Sequence, residues 1–182
     1  MKKVLLVYKT KYGATKKYSE WIQEDLNCDM VSYDDFKPKM VEPYDLIIYG
    51  GGVHAGGIKG FDTFQKVIKK YRNEKKFVIF ACGMNVENFD QRAELRDVNF
   101  SKDYLKGLTC YYLNGKFDPT IVGGIDKKIL AWSRKILLSK GKLNFTEADK
   151  VLLDRMDNGY NGIDRNNILK LVQEVKEEIS EG

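Results

Sequence analysis

Val4-Leu5-Leu6-Val7-Tyr8-Lys9-Thr10-Lys11-Tyr12-Gly13-Ala14-Thr15 is the stretch on which the fold turns. Val4 to Tyr8 is a continuous apolar run, the pattern of a strand buried on both faces. A short polar loop follows. Tyr18, Ile22 and Leu26 then recur at four-residue spacing, which is a helical stripe. A buried strand that feeds a helix through a short loop opens a βαβ unit.

The same alternation continues along the chain. Asp29 to Tyr33 reads as a second strand. Leu46-Ile47-Ile48-Tyr49 reads as a third and runs directly into glycines. Phe61, Phe64, Ile68 and Tyr71 mark a helix. Phe77 to Cys82 is a fourth strand, ending at Gly83. The charged stretch from Asn88 to Lys106 contains a helix, Thr109 to Phe117 is a last strand, and Ile125 to Leu138 is helical in pattern. Asn167 to Ile179 carries Ile168, Val172, Val175 and Ile179 on one face, with Asp164 as its N-cap. The expectation is an α/β fold with a doubly wound parallel sheet of five strands in the order 2-1-3-4-5 and helices on both faces. In that order a ligand sits beyond the carboxyl ends of the strands, where the winding reverses.

Composition narrows the function classes. A length of 182 residues suits one domain spanning 1–182. The N-terminus does not read as a signal peptide and no run is long enough to cross a bilayer, so the expected location is cytoplasmic. Cys28, Cys82 and Cys110 are far apart and the chain has 1 His, which argues against a zinc or iron–sulfur site. The net charge of +5 is spread over a chain with nearly as many acids as bases. That pattern reads as a solvated surface and not as a nucleic-acid footprint.

Three strand ends carry the candidate ligand residues. After the first strand come Thr10, Lys11, Tyr12, Gly13, Ala14 and Thr15, leading into a helix. Free N–H groups and hydroxyls at a helix N-terminus suit a phosphate, because the unpaired donors and the dipole both favour an anion. The same residues also read as a plain turn and an N-cap. No G-x-G-x-x-G and no G-x-x-x-x-G-K-[ST] is present, which leaves a monophosphate site. After the third strand come Gly50, Gly51, Gly52, Val53, His54, Ala55, Gly56 and Gly57. So many glycines are costly to order, and they read as a loop that lets a flat ligand lie against bare backbone. His54 is placed either against a ring or in solvent. After the fourth strand come Cys82, Gly83, Met84 and Asn85, whose N–H groups could meet the polar edge of a ring. Cys82 reads as a small buried strand residue more readily than as a redox thiol.

With these three loops in view, the chain resembles the flavodoxin family over about its first two-thirds. The segment Thr10–Thr15 is similar to that family's FMN phosphate loop. The segments Gly50–Gly57, with Gly51, Gly52, Val53, His54, Ala55 and Gly56 as the candidate contacts, and Cys82–Asn85 fall where its two isoalloxazine loops occur. The resemblance implies a flavodoxin-like fold, FMN as cofactor, and electron transfer. Within the family the chain looks closest to the oxygen-independent protoporphyrinogen oxidase branch, on three features. These are the style of phosphate loop, the charged insert before the last strand, and the apolar-basic segment after Gly115-Lys116-Phe117. Two features depart from the family pattern. The ring loops lack the Trp and Tyr that commonly sandwich the flavin, and they carry no carboxylate before Glu87. A site poor in carboxylates favours negative charge on the ring more than an acidic one does.

The expected function is therefore an FMN-dependent oxidoreductase, with a porphyrinogen or a quinone as candidate substrate and no catalytic residue identified. An electron carrier between protein partners, with no substrate pocket, is the alternative. A phospho-receiver would need acids where Lys9, Thr10 and Gly50 stand. A platform that has lost its flavin stays open on fold grounds alone. Ile125, Ile129, Trp132 and Ile136 share a helical face beside Lys127, Lys128, Arg134, Lys135, Lys140 and Lys142. That segment could rest on an anionic membrane or pack on the sheet.

Overall fold

The computed structural model describes residues 2–180. In chain order the elements are β1 (Val4–Lys9), α1 (Ala14–Leu26), β2 (Asp29–Ser32), β3 (Leu46–His54), β4 (Gly57–Ile58) and α2 (Phe61–Tyr71). There follow β5 (Lys76–Gly83), α3 (Phe89–Phe100), β6 (Thr109–Asn114) and β7 (Lys116–Phe117). The chain continues through α4 (Gly124–Ser139), α5 (Glu147–Asn158), β8 (Tyr160–Asn161) and α6 (Leu169–Ser180). The central sheet runs β2-β1-β3-β5-β6, all parallel, which is the doubly wound order expected from the sequence.

Strand alternation sends successive side chains to opposite faces. Val4, Leu6, Leu46, Ile48 and Phe80 pack with Tyr18 and Ile22 of α1 and with Leu171, Val172 and Val175 of α6. Leu5, Val7, Ile47, Tyr49 and Ile79 pack on the other face with Phe61, Phe64 and Ile68 of α2 and Phe100 of α3. Each half of the core therefore draws on every second residue of the same strands. The final helix begins as a 3-10 turn over Arg165–Ile168, capped by Asp164, whose carboxylate accepts from Asn166 N at 2.9 Å.

Four features differ from the sequence reading. First, the glycine run is not a loop. Gly50, Gly51 and Gly52 stay in the parallel ladder opposite Phe80, Ala81 and Cys82, and β3 continues to His54. Only Ala55 and Gly56 turn the chain, both at positive φ (48° and 78°), before β4 pairs back on Val53 and His54. Second, the last strand breaks at Gly115. The Gly115 N–H ends the ladder on Gly83 O at 2.7 Å, and β7 then leaves to form a separate two-stranded ribbon with β8. Third, α5 fills the stretch between α4 and that ribbon. Its N-terminus is a reciprocal cap between Thr146 and Asp149. Fourth, α4 does not lie on the sheet. It pairs with α5 through Arg134 and Asp157, at 2.7 and 2.9 Å, and through Lys140 and Asp149, at 2.8 Å. Ile129 is half-buried, whereas Ile125 and Trp132 are exposed.

One buried side chain pins the β3–β4 hairpin to α3. Asn99 Oδ1 accepts from Ile58 N at 2.9 Å, and its Nδ2 donates to Gly56 O at 2.9 Å and to Leu95 O at 2.7 Å. Asn99→Ala strands the Ile58 donor and the Gly56 acceptor in a water-poor site. The expected loss is about 2 kcal/mol, read as a lower urea midpoint at unchanged slope.

Candidate functional site

The parallel sheet sets the ends of β1, β3 and β5 side by side, so the segments after them converge. Between them lies a cavity of about 80 Å³. It is lined by Thr10, Lys11, Tyr12, Ala14 and Thr15 from the first segment, and by Gly52, Val53 and His54 from the second. Cys82, Gly83 and Met84 line it from the third. A groove of about 480 Å³ adjoins it and shares Val53, Gly83 and Met84 as a common wall. Ala55, Gly56 and Asn85 open onto this groove and not onto the first cavity. Gly13 and Gly51 line neither.

The first segment is shaped by its turn. Gly13 takes φ 86°, and its N–H donates to Thr10 Oγ1 at 3.1 Å before α1 begins at Ala14. The first turn of α1 holds no acid, so its unpaired N–H groups present an uncontested positive end. Thr15 is buried at that end.

The three glycines of β3 are glycine for two different reasons. A Cβ on Gly50 would overlap the Phe80 ring, and one on Gly51 would overlap Ile58. A Cβ on Gly52 would meet only Thr15 Oγ1, at 3.7 Å. Gly50 and Gly51 are thus bare for packing, and Gly52 alone is bare toward the cavity. Cys82 is buried on the same rim, and burial pushes its thiol up to about 12, which leaves it protonated and inert.

The site is electropositive. Lys59 lines the first cavity beside Lys11 and His54. Burial, followed by Lys11 and Lys59, holds His54 below the ordinary histidine range, so its ring is neutral at pH 7. Burial, then Lys11 and Lys9, also draws Lys59 down. Lys9 is paired with Asp34.

Gly115, Lys116 and Phe117 complete the cavity lining, Asp126 contacts Lys11, Tyr12 and His54 from outside it, and none of the four was a candidate from the sequence. Phe117 meets the Tyr12 ring edge to face, with centroids 6.1 Å apart. The two rings pack on each other at the edge of the cavity and tie the phosphate segment to the ribbon. Arg155 of α5 lies over the Tyr160 ring, with Cζ 3.8 Å from its centroid, and donates to Met84 O. It thereby ties the third segment to the ribbon.

The residues present fit FMN. The hydroxyls of Thr10 and Thr15, the α1 amides and the cations Lys11 and Lys59 form a donor set for a phosphate monoester. Gly52 leaves bare the backbone that a Cβ would cover. The wall made by Val53, Gly83 and Met84 is apolar and faces the wider groove.

Residues 5–144 match the family profile described as Flavodoxin domain. The chain belongs to the flavodoxin family. It is 31% identical over 132 residues to the uncharacterized protein MJ0298 of Methanocaldococcus jannaschii, covering 69% of this chain and 85% of that one. Among solved structures it is similar to a WrbA-like flavodoxin from Agrobacterium tumefaciens, with TM-score 0.49 and 16% identity over 63% of this chain and 84% of that one. It is also similar to a flavodoxin from the domain Archaea, with TM-score 0.45 and 16% identity over 85% and 96% of the two chains. A third is a flavoprotein in complex with FMN from Lactobacillus acidophilus, with TM-score 0.39 and 16% identity over 63% and 93%. Membership of this flavoprotein family supports FMN as the cofactor.

The two inner glycines give a paired test. Gly50→Ala forces a methyl into the Phe80 ring and is expected to cost about 2 kcal/mol or more of folding stability. Gly52→Ala is expected to leave stability within about 0.5 kcal/mol and to weaken FMN binding at least about tenfold. Urea unfolding and flavin fluorescence titration separate the two effects.

Proposed function

We propose that the protein is an FMN-dependent oxidoreductase whose flat, largely apolar substrate lies in the groove beside the flavin. A quinone or a porphyrin-type macrocycle has the right chemistry. When bound, FMN supplies electron transfer through its ring. Thr10, Thr15, Lys11 and the α1 amides hold its phosphate. Gly52 gives the bare backbone beside it. The cations Lys11 and Lys59 favour negative charge in the site.

One observation carries the reading. The groove that shares Val53, Gly83 and Met84 with the phosphate cavity has the size of a ligand pocket, and most of its wall is apolar. Leu95 of α3, Ile129, Trp132 and Leu137 of α4, and Leu152 and Met156 of α5 build that wall. A pure electron carrier needs only an exposed ring edge and has no use for it. The finer resemblance to the oxygen-independent protoporphyrinogen oxidases belongs to this proposal, because the β7–α4–α5–β8 insertion is what makes the groove.

The first experiment is reconstitution with FMN and an absorbance spectrum, followed by anaerobic reduction and rapid mixing with a water-soluble quinone. The expected result is reoxidation that saturates with quinone concentration. Trp132→Ala should raise the KM for quinone several-fold and leave FMN affinity unchanged. Linear, unsaturable reoxidation that Trp132→Ala does not alter would favour the carrier reading.

The exposed apolar residues of α4 at the mouth of the groove support a proposal about location. Among the described residues no helix is long and apolar enough to cross a membrane. Ile125 is 74% exposed and Trp132 65%, with Lys127, Lys128 and Lys135 exposed beside them. This face is proposed to rest on an anionic bilayer. Sedimentation with phosphatidylglycerol vesicles, but not with phosphatidylcholine vesicles, is the expected result.

A further inference from the structure

One carboxylate engages side chains that line the phosphate cavity. Asp126 lies in the first turn of α4, with its side chain 14% exposed. Its Oδ2 pairs with Lys11 and accepts a long hydrogen bond from Tyr12 OH at 3.4 Å. Its Oδ1 lies 3.3 Å from His54 Nε2. The first two partners belong to the phosphate segment and the third to the end of β3. A phosphate monoester entering this cavity meets Lys11 already engaged, and the group engaging it is itself an anion. Like charges that draw on one cation oppose each other in a site partly shielded from water.

The rest of α4 is held elsewhere. Its ion pairs with α5, Arg134 to Asp157 and Lys140 to Asp149, lie in the C-terminal half, and so does its buried Leu137. The N-terminal half follows Gly123 and Gly124. Gly124 takes φ 57°, and a Cβ at either glycine would meet open space. Ile125 beside them is exposed. Besides the half-buried Ile129, the polar contacts of Asp126 are what tie this half of the helix to the phosphate segment. Ile129 and Ser133 follow Asp126 at three and seven residues, on the same helical face, and both line the groove.

We propose that Asp126 is a latch: it holds the N-terminal half of α4 against Lys11 and His54, and an incoming phosphate monoester displaces it, so that loading the cofactor releases the wall of the neighbouring groove. This rests on the reading that FMN binds at the first crossover. The pivot is the Gly123-Gly124 pair. The phosphate takes over Lys11, and the α4 end becomes free to open the groove. Because such coupling is reciprocal, a ligand that props the groove open also favours FMN.

The test compares the wild type with Asp126→Asn, using FMN and riboflavin as probes. Binding is read by flavin fluorescence, and helix mobility by amide hydrogen exchange over residues 124–139. FMN is expected to speed exchange in the first half of α4 of the wild type, and riboflavin is not. Asp126→Asn is expected to bind FMN about tenfold tighter, the scale of a two-site coupling, with riboflavin affinity unchanged. Its α4 end should exchange at the released rate with no flavin present. Equal or weaker FMN binding by Asp126→Asn overturns the latch, because the carboxylate then supports the cofactor and does not oppose it. Unchanged α4 exchange on adding FMN to the wild type overturns it as well, and that measurement stands even if the variant fails to fold. Failure of both proteins to bind FMN overturns the cofactor reading, and the latch falls with it. Tight binding by the wild type with no gain in Asp126→Asn overturns the latch alone.

Discussion

The register between β3 and β5 is the constraint on which the remaining structure depends. Phe80 of β5 needs the space above β3 where Gly50 has no side chain, and its ring is fully buried there. A one-residue slip of β5 would set the ring against Tyr49 or Gly51 and turn that strand's side chains to the wrong faces. Once Gly50 is fixed under Phe80, the two-residue repeat fixes Gly52 on the same face, the side that carries α1. Gly52 then faces Thr15 across the cavity. Gly51, on the opposite face, is covered by Ile58 of the hairpin that follows. One packing requirement in the core thus determines which backbone is bare at the ligand site.

Charge at the site follows from the same arrangement. The loops that meet at the ends of β1 and β3 bring Lys11, Lys59 and His54 together, and partial burial beside neighbouring cations makes a positive charge harder to hold on Lys59 and His54. An anion relieves that cost. Two anions are available in turn, a phosphate from outside and the Asp126 carboxylate from the insertion. In the latch proposed above, the same cation is satisfied from within by Asp126 or from outside by a phosphate.

How far the sequence speaks depends on which residues a feature involves. The central strands β1, β3 and β5 and the helices α1, α2 and α6 are the most legible, because strands buried on both faces leave unbroken apolar runs and each of these helices leaves a clear stripe; the edge strands β2 and β6 are half-buried and read less sharply. The glycines after Tyr49 misled, since composition does not distinguish a glycine needed under a ring from one needed in a turn. Phe80 is the reason for Gly50, and it lies a whole βαβ unit away. The helix α5 has a weak stripe and went unread. The spacing of Thr146 and Asp149 before its apolar residues was the available signal. Cavity-lining residues in the phosphate segment were legible through the helix start at Ala14. Phe117 and Asp126 were not, because their places depend on where the insertion folds back. Asp126 meets Tyr12 across 114 residues of chain.

The position of the insertion explains why this fold carries a groove at all. Chain that leaves the end of β6 starts beside β5 and away from β1, because β6 pairs only with β5 in the sheet. It therefore rises next to the segment Cys82–Asn85, with the phosphate segment on the far side. The β7–β8 ribbon clamps its two ends together, and Arg155 reaches from the ribbon's Tyr160 to Met84 O. A helical hairpin anchored there has to stand over the ring segments. To touch the phosphate segment it must reach across the cavity, and within α4 the residue that does so is Asp126. Topology thus assigns the helical hairpin to the groove side of the site, and two side chains link the segment after β6 back to the phosphate side: Asp126 of α4 through Lys11 and Tyr12, and Phe117 of β7 through the Tyr12 ring.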